Sequence, residues 1–310
     1  MSADFPSNVI NSTGEPLHVE NERLFLQRLF RAMENRMGEE FRRLKFVVHF
    51  RSFGEFRGSN INLLKGDSDH VLILIADEQA VFPVEEFSAY RAIFRAHGNP
   101  QGGKTGVFPF PIGYFNEPGE QQSIPFESRS TSVFFSGYMN RNRVDLYKQC
   151  RPIWWLPRRN LPKNRYVKEI ARRAVSKLCR ERNFDNLMAG ARIQFTEWFG
   201  KGLPPAEYAH ALANAKIALC PPGFVMAETI RHWEAMRLGC IVISAPLPQI
   251  HFYKGSPIIE LDDWSKLKPL LADLLANPSK LRRHHEATVE WWNSRCSEAA
   301  VADYMAAIIR

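Results

Sequence analysis

Glu228, Arg231 and Glu234 are spaced three residues apart. On a helix those spacings set neighbours about 60° apart, with Arg231 between the two carboxylates. A guanidinium held between carboxylates, beside a helix start, is chemistry suited to an anionic ligand. The same spacing also suits ordinary ion pairs on a helix surface, so the flanking residues decide between the readings. They fall in the stretch KIALCPPGFVMAETIRHWEAMRLGCIVIS, residues 216–244. Ile217-Ala218-Leu219-Cys220 is a short apolar run of the kind that forms a buried parallel strand. Pro221-Pro222-Gly223 stops it, a helix is expected from Glu228 to Leu238, and Gly239 sits where a glycine would end that helix. Cys240-Ile241-Val242-Ile243 is a second buried strand. A strand–loop–helix–strand unit of this kind binds ligands at the carboxyl ends of its strands. Glu228 and Thr229 at the helix start, with Pro222 and Gly223 in the loop, fall on that side.

Other candidates follow from the same rule. Gly137 ends the apolar strand Val133-Phe134-Phe135 and permits close backbone approach. Arg143 lies six residues on, at the first turn of an expected helix, where it could hold a phosphate. Lys201, in WFGKGLPP, sits in a glycine-flanked loop on the expected ligand side, or simply marks a turn. Tyr208 reads as packing, as do Trp233, Ala235 and Met236. Cys220 and Cys240 read as small buried residues without a basic partner.

For a proton acceptor the candidates are Asp77, with Glu78, at the end of the VLILIA strand, Glu55 in RSFGEFRG, and His49. Asp77 suits a helix N-cap equally well. Asp67-Ser68-Asp69 is a literal DxD, but it precedes an apolar strand and reads as a loop cap. His284 and His285 are adjacent and diverge on a helix, without metal-ligand spacing. No metal is expected.

The pattern Cys220-Pro221, Gly223, Arg231, Glu234-Ala235, Gly239-Cys240, Val242-Ile243 resembles the donor-binding half of exostosin-like glycosyltransferases. More broadly it resembles GT-B-fold, nucleotide-sugar-dependent enzymes. Ile259 to Leu267 (IELDDWSKL) and Phe134-Phe135-Ser136-Gly137 with Arg143 resemble further segments of the same domain, so the likeness spans residues 133–275. It implies an α/β, GT-B-like fold: two Rossmann-like domains facing across a cleft. It also implies a glycosyltransferase that moves a sugar from a nucleotide-sugar donor to a glycan or glycolipid, in surface polysaccharide synthesis, with inversion. Arg231 then takes the diphosphate, Glu234 the ribose hydroxyls, and Glu228 the sugar. The nucleotide sugar is a co-substrate, and no cofactor is implied. The proton acceptor in such folds comes from the first domain, which favours Asp77, then Glu55.

Length and charge fit that outline. The chain of 310 residues is long enough for two α/β domains. The expected domains are an acceptor-side domain, 1–128, and a donor domain, 129–310, whose last helix crosses back. Five dispersed cysteines argue for reduced thiols. No apolar run is long enough to span a bilayer, and no secretory signal opens the chain, so a cytoplasmic location is expected. The formal charge of +8 favours anionic partners. Basic residues with Trp154, Trp155 and Tyr166 concentrate over 141–182, either as a solvated basic helix or as a docking face for an anionic acceptor or the inner membrane face. DNA with a modified base is a rival acceptor, and a non-catalytic nucleotide- or carbohydrate-binding protein is a rival class.

Smaller expectations complete the reading. Residues 1–20 are expected to be poorly ordered. Phe87 to His97 and Arg165 to Arg182 are expected as helices, and Pro100 to Pro125 as a connecting segment.

Overall fold

A computed structural model describes residues 5–50, 63–78, 82–97, 106–150, 182–183, 187–196 and 201–310. The fold is α/β, built on two mainly parallel, Rossmann-like sheets. The chain divides into two compact units. One comprises Met1–Gly119, Pro248–Gly255 and Trp292–Arg310, and the other Glu120–Leu247 and Ser256–Trp291.

In the first unit, β1 (Val9–Asn11), β2 (Lys45–Phe50), β3 (His70–Ile75), β4 (Ala92–Arg95) and β5 (Val107–Pro109) pair in that order, all parallel. Every residue of β3 is buried, as expected for a central strand covered on both faces. Three expectations are corrected here. Part of the N-terminal stretch is ordered, because Val9 to Asn11 add an edge strand to β2. Ala92–Arg95 is a strand, not part of a helix, because its apolar residues fill the slot beside β3; a 3-10 turn at Val84–Phe87 precedes it. Part of the Pro/Gly-rich stretch is the edge strand β5, where Pro109 costs no ladder bond. The helix expected over 165–182 lies outside the described residues.

Helices α1 (Arg23–Met37) and α9 (Glu298–Ile309) pack together in this unit. Phe25, Leu26, Leu29, Phe30 and Met33 of α1 are buried at helical spacing, as are Val301, Ala302, Met305, Ala306 and Ile309 of α9. Arg91 Nε donates to the Ile309 carbonyl at 2.6 Å, satisfying one orphan acceptor at the end of α9.

In the second unit, β6 (Thr131–Tyr138), β7 (Arg182–Asn183), β8 (Ala191–Thr196), β9 (Ala215–Cys220), β10 (Ile241–Ser244) and β11 (Ile259–Glu260) are ordered β11-β10-β9-β6-β8-β7. Only β7 runs antiparallel to its neighbour. The chain moves from β6 outward to β8, then returns to place β9 on the other side of β6. That reversal between β6 and β9 is a topological switch point, where open α/β sheets bind ligands at their carboxyl edge. Helices α5 (Pro205–Ala213) and α6 (Ile230–Arg237) flank β9 in sequence. Helices α7 (Leu267–Ala276) and α8 (Pro278–Trp291) follow β11. Among the described residues no helix is long and apolar enough to cross a membrane.

Candidate functional site

Two buried arginines meet at the carboxyl edge of the switch point. β6 ends at Tyr138, and Asn140 caps the following turn by accepting the Asn142 N–H at 2.9 Å. That turn delivers Arg143, which is 5% exposed. Its Nη1 donates to the Tyr138 carbonyl at 2.8 Å and its Nε to the Pro222 carbonyl at 3.0 Å. Arg143 therefore ties the end of β6 to the loop after β9. Arg231 comes from the first turn of α6 and is 9% exposed. Its Nη2 donates to the Ser136 carbonyl at 2.7 Å. Both guanidiniums lie over the Phe135 ring, at 4.9 Å for Arg231 and 5.6 Å for Arg143. Gly137 makes their approach possible: a Cβ there would stand 2.9 Å from Arg231 Nη2 and 3.0 Å from Arg143 Nη1.

The electrostatics favour an added anion. Burial, and then the charge of Arg231, pushes Arg143 down to about 9. A guanidinium still carries its proton at neutral pH. Burial also works against the charge of Arg231, but the Tyr208 hydroxyl, the Cys220 thiol and the Glu234 carboxylate outweigh it and hold Arg231 above its usual value. Burial pushes Cys220 up to about 12 and Tyr208 well above its ordinary range. Both are uncharged at neutral pH, which leaves Glu234 as the formal counter-charge acting on Arg231. Arg231 Nε and Nη1 and Asn140 Nδ2 are buried without a partner in hydrogen-bonding geometry, and all three are donors. Unpaired buried donors are rare and costly. A surplus of them around two cations suits a ligand with several acceptor oxygens, and a phosphate is such a ligand.

The start of α6 is capped by its own side chains. Thr229, not Glu228, is the N-cap of α6: its side chain accepts the His232 N–H, and the His232 ring returns a bond to the Thr229 N–H at 3.1 Å. His232 Nε2 contacts Ser244 Oγ at 2.7 Å. The cap uses the N–H groups of Thr229 and His232.

The other expected residues divide. Pro222 and Gly223 border the site: Pro222 holds Arg143, and the Gly223 carbonyl accepts Asn142 Nδ2 at 2.8 Å. Glu228 is buried just before the cap. Glu234 is 1% exposed, and its Oε2 accepts the Tyr208 hydroxyl at 2.9 Å. Lys201 is exposed, just after residues 197–200, which lie outside the described ones.

In the first unit, Asp77 is buried and accepts from Arg95 Nη2 at 2.6 Å and from the Phe82 N–H at 3.3 Å. Those bonds, both to Oδ2, make it an anchor for the segment after β3. Glu78 is half-buried and His49 buried; Glu55 lies outside the described residues. Asp67 faces His70 Nδ1 at 2.7 Å and accepts the Asp69 N–H at 2.8 Å, a loop-capping geometry. Among the described residues no group of three or more His, Cys, Asp or Glu is placed to hold a metal.

Sequence reasoning gave Asn140, Asn142 and Phe224 no role and left Tyr208 to packing. Tyr208 does pack on Phe134, at 5.8 Å between ring centroids, but its hydroxyl also reaches Glu234. Asn140 carried a legible signal, an Asn just before an expected helix.

No family model and no curated protein matches this sequence. Among solved structures, a mutant of S. aureus TarM in complex with fondaparinux, α-GlcNAc-glycerol and UDP is similar at 11% identity and a TM-score of 0.44. The match covers 92% of this chain and 59% of that one, so this chain spans less than two thirds of that protein's length. A likeness at that TM-score carries neither fold nor activity across.

Proposed function

We propose that this chain is a glycosyltransferase that uses a nucleotide-sugar donor and holds the donor's diphosphate on Arg143 and Arg231. The observation that carries the reading is the pair of buried guanidiniums beside Gly137, with donors to spare, at the switch point of a parallel sheet. The motif resemblance supplies the sugar chemistry. In the transfer, an acceptor hydroxyl oxygen attacks the anomeric carbon while the bond from that carbon to the diphosphate oxygen breaks. Negative charge gathers on the leaving diphosphate, where two fixed cations stabilise it most. A single displacement inverts the anomeric centre. Glu228 is assigned to the sugar hydroxyls. The acceptor's proton is assigned to a carboxylate, with Asp77, Glu55 and Glu78 as the candidates; Asp77 Oδ2 already serves Arg95 and Phe82. The acceptor is assigned as a glycan or glycolipid of a surface polysaccharide.

Thermal melting against a panel of nucleoside diphosphates and nucleotide sugars tests this. A ligand at a hundredfold its dissociation constant adds about 2.7 kcal/mol, a rise of roughly 5–10 °C for a unit of this size. One nucleotide family should raise the melting temperature, and its sugar form should be hydrolysed slowly without acceptor. Stabilisation by none of them would overturn the reading.

A further inference from the structure

Among the described residues, Phe224 and Val225 are the large hydrophobic side chains left exposed, at 56% and 42%. They sit at the tip of the loop between β9 and α6, on the same edge of the sheet as the two arginines. Leaving a phenylalanine in water forgoes burial that other aromatic residues of this unit obtain; Phe134, Phe135 and Phe195 are all fully buried. The loop is nevertheless well tied. The Gly223 N–H donates to the Met226 carbonyl at 2.8 Å and closes the turn. Asn142 Nδ2 donates to the carbonyls of Gly223 at 2.8 Å and Phe224 at 3.1 Å. Arg143 Nε holds Pro222. The Phe224 ring is thus presented by a braced loop, with the Arg141 guanidinium 5.5 Å from its centroid. Gly223 cannot easily be larger, since a Cβ there would stand 3.1 Å from the Met226 carbonyl.

We infer that Phe224 is the stacking face for the nucleobase of the nucleotide whose phosphates rest on Arg143 and Arg231. The inference rests on the diphosphate reading above and extends it to the other end of the ligand. One residue, Gly223, separates Phe224 from Pro222, whose carbonyl anchors Arg143. At most about 7 Å of chain therefore lies between the ring's attachment and the phosphate cradle. An aromatic ring flanked by arginine offers a flat apolar surface and a cation, which together suit a planar heteroaromatic base. Every base has such a face, so this contact strengthens binding of any nucleotide, while discrimination among bases belongs to other groups.

The test compares two ligands on the full chain by calorimetry: inorganic pyrophosphate, and the nucleoside diphosphate that stabilises the wild-type protein. Phe224→Ala should bind the nucleoside diphosphate about 5- to 100-fold more weakly and bind pyrophosphate as the wild type does. Phe224→Trp should restore nucleotide affinity. An exposed position should tolerate both changes with an unchanged melt. Equal nucleotide affinity in Phe224→Ala and wild type overturns the stacking role but leaves the phosphate site standing. So does a wild type that binds pyrophosphate as tightly as every nucleoside diphosphate. Wild-type protein that binds neither ligand overturns both readings. Binding to anionic phospholipid vesicles that is lost in Phe224→Ala, with nucleotide affinity intact, would reassign the loop to a membrane surface.

Discussion

The two edges of the second sheet each bury arginine, and they treat it in opposite ways. At the amino edge, Arg129 is 3% exposed and spends all five of its N–H donors inside the protein. Nε donates to the Ile124 carbonyl, Nη1 to those of Ala215 and Gly239, and Nη2 to the Leu238 carbonyl and Ser123 Oγ. Those carbonyls include the end of α6 and the start of β9, acceptors left over where a helix ends. At the carboxyl edge, Arg231 is nearly as buried but makes one geometric hydrogen bond, to Ser136, and a second cation stands beside it. A fully satisfied buried cation is a structural part. A buried cation with donors in reserve, at a switch point, is the feature on which the proposed anion site rests. Both arginines are buried; the donor count distinguishes them.

The largest test of this contrast is at the amino edge. Arg129→Met removes five hydrogen bonds at once and should cost more than about 3 kcal/mol, a fall in melting temperature of at least roughly 6 °C. A melt within a degree of wild type would mean that satisfied donors do not mark a structural arginine here.

The next test asks whether the carboxyl edge resists further positive charge. Burial foremost, with Arg231 adding to it, pushes His232 down to about 4 from its usual 6.5, against opposing contributions from Thr229 and Glu228. The folded-state value is the depressed one. Below pH 6.5 the unfolded chain takes up a proton that the folded chain refuses until about pH 4. Stability should therefore fall through that window at about 1.4 kcal/mol per pH unit, or about 3 kcal/mol in all. His232→Gln cannot take up that proton, so its stability should fall less steeply between pH 6.5 and 4 in denaturant titrations. Parallel curves for the two proteins would refute a buried neutral His232.

The smallest effect on stability, though not on binding, is expected at Gly137. Gly137→Ala pushes on the ends of two flexible side chains, not on backbone, so stability should change by less than about 1 kcal/mol. Pyrophosphate affinity should nonetheless fall about tenfold as the guanidiniums part. Unaltered affinity would detach Gly137 from the site.

Much of the second unit was legible in the sequence because its signals are local. Apolar runs gave β6, β9 and β10, and Gly239 ends α6 with a φ of 68°. The site's inner bracing was not legible. Glu234 sits on the expected helix face, but Tyr208, 26 residues earlier in the chain, turns it inward. Asp77 was expected at a strand end and is there, yet its ion pair with Arg95 depends on β4 lying beside β3, a non-local pairing. The strand at Ala92–Arg95 was hidden for the same reason: its apolar spacing fits a helix until β3 supplies a partner.

The central claim is that Arg143 and Arg231 form an anion site, and pyrophosphate titrated into wild type, Arg143→Met and Arg231→Met tests it most directly. Calorimetry should show binding in the wild type and an affinity about 10- to 100-fold lower in each variant, the worth of one charge-assisted contact, with both variants melting as folded proteins. Three equal affinities, or no heat in any of them, would contradict it.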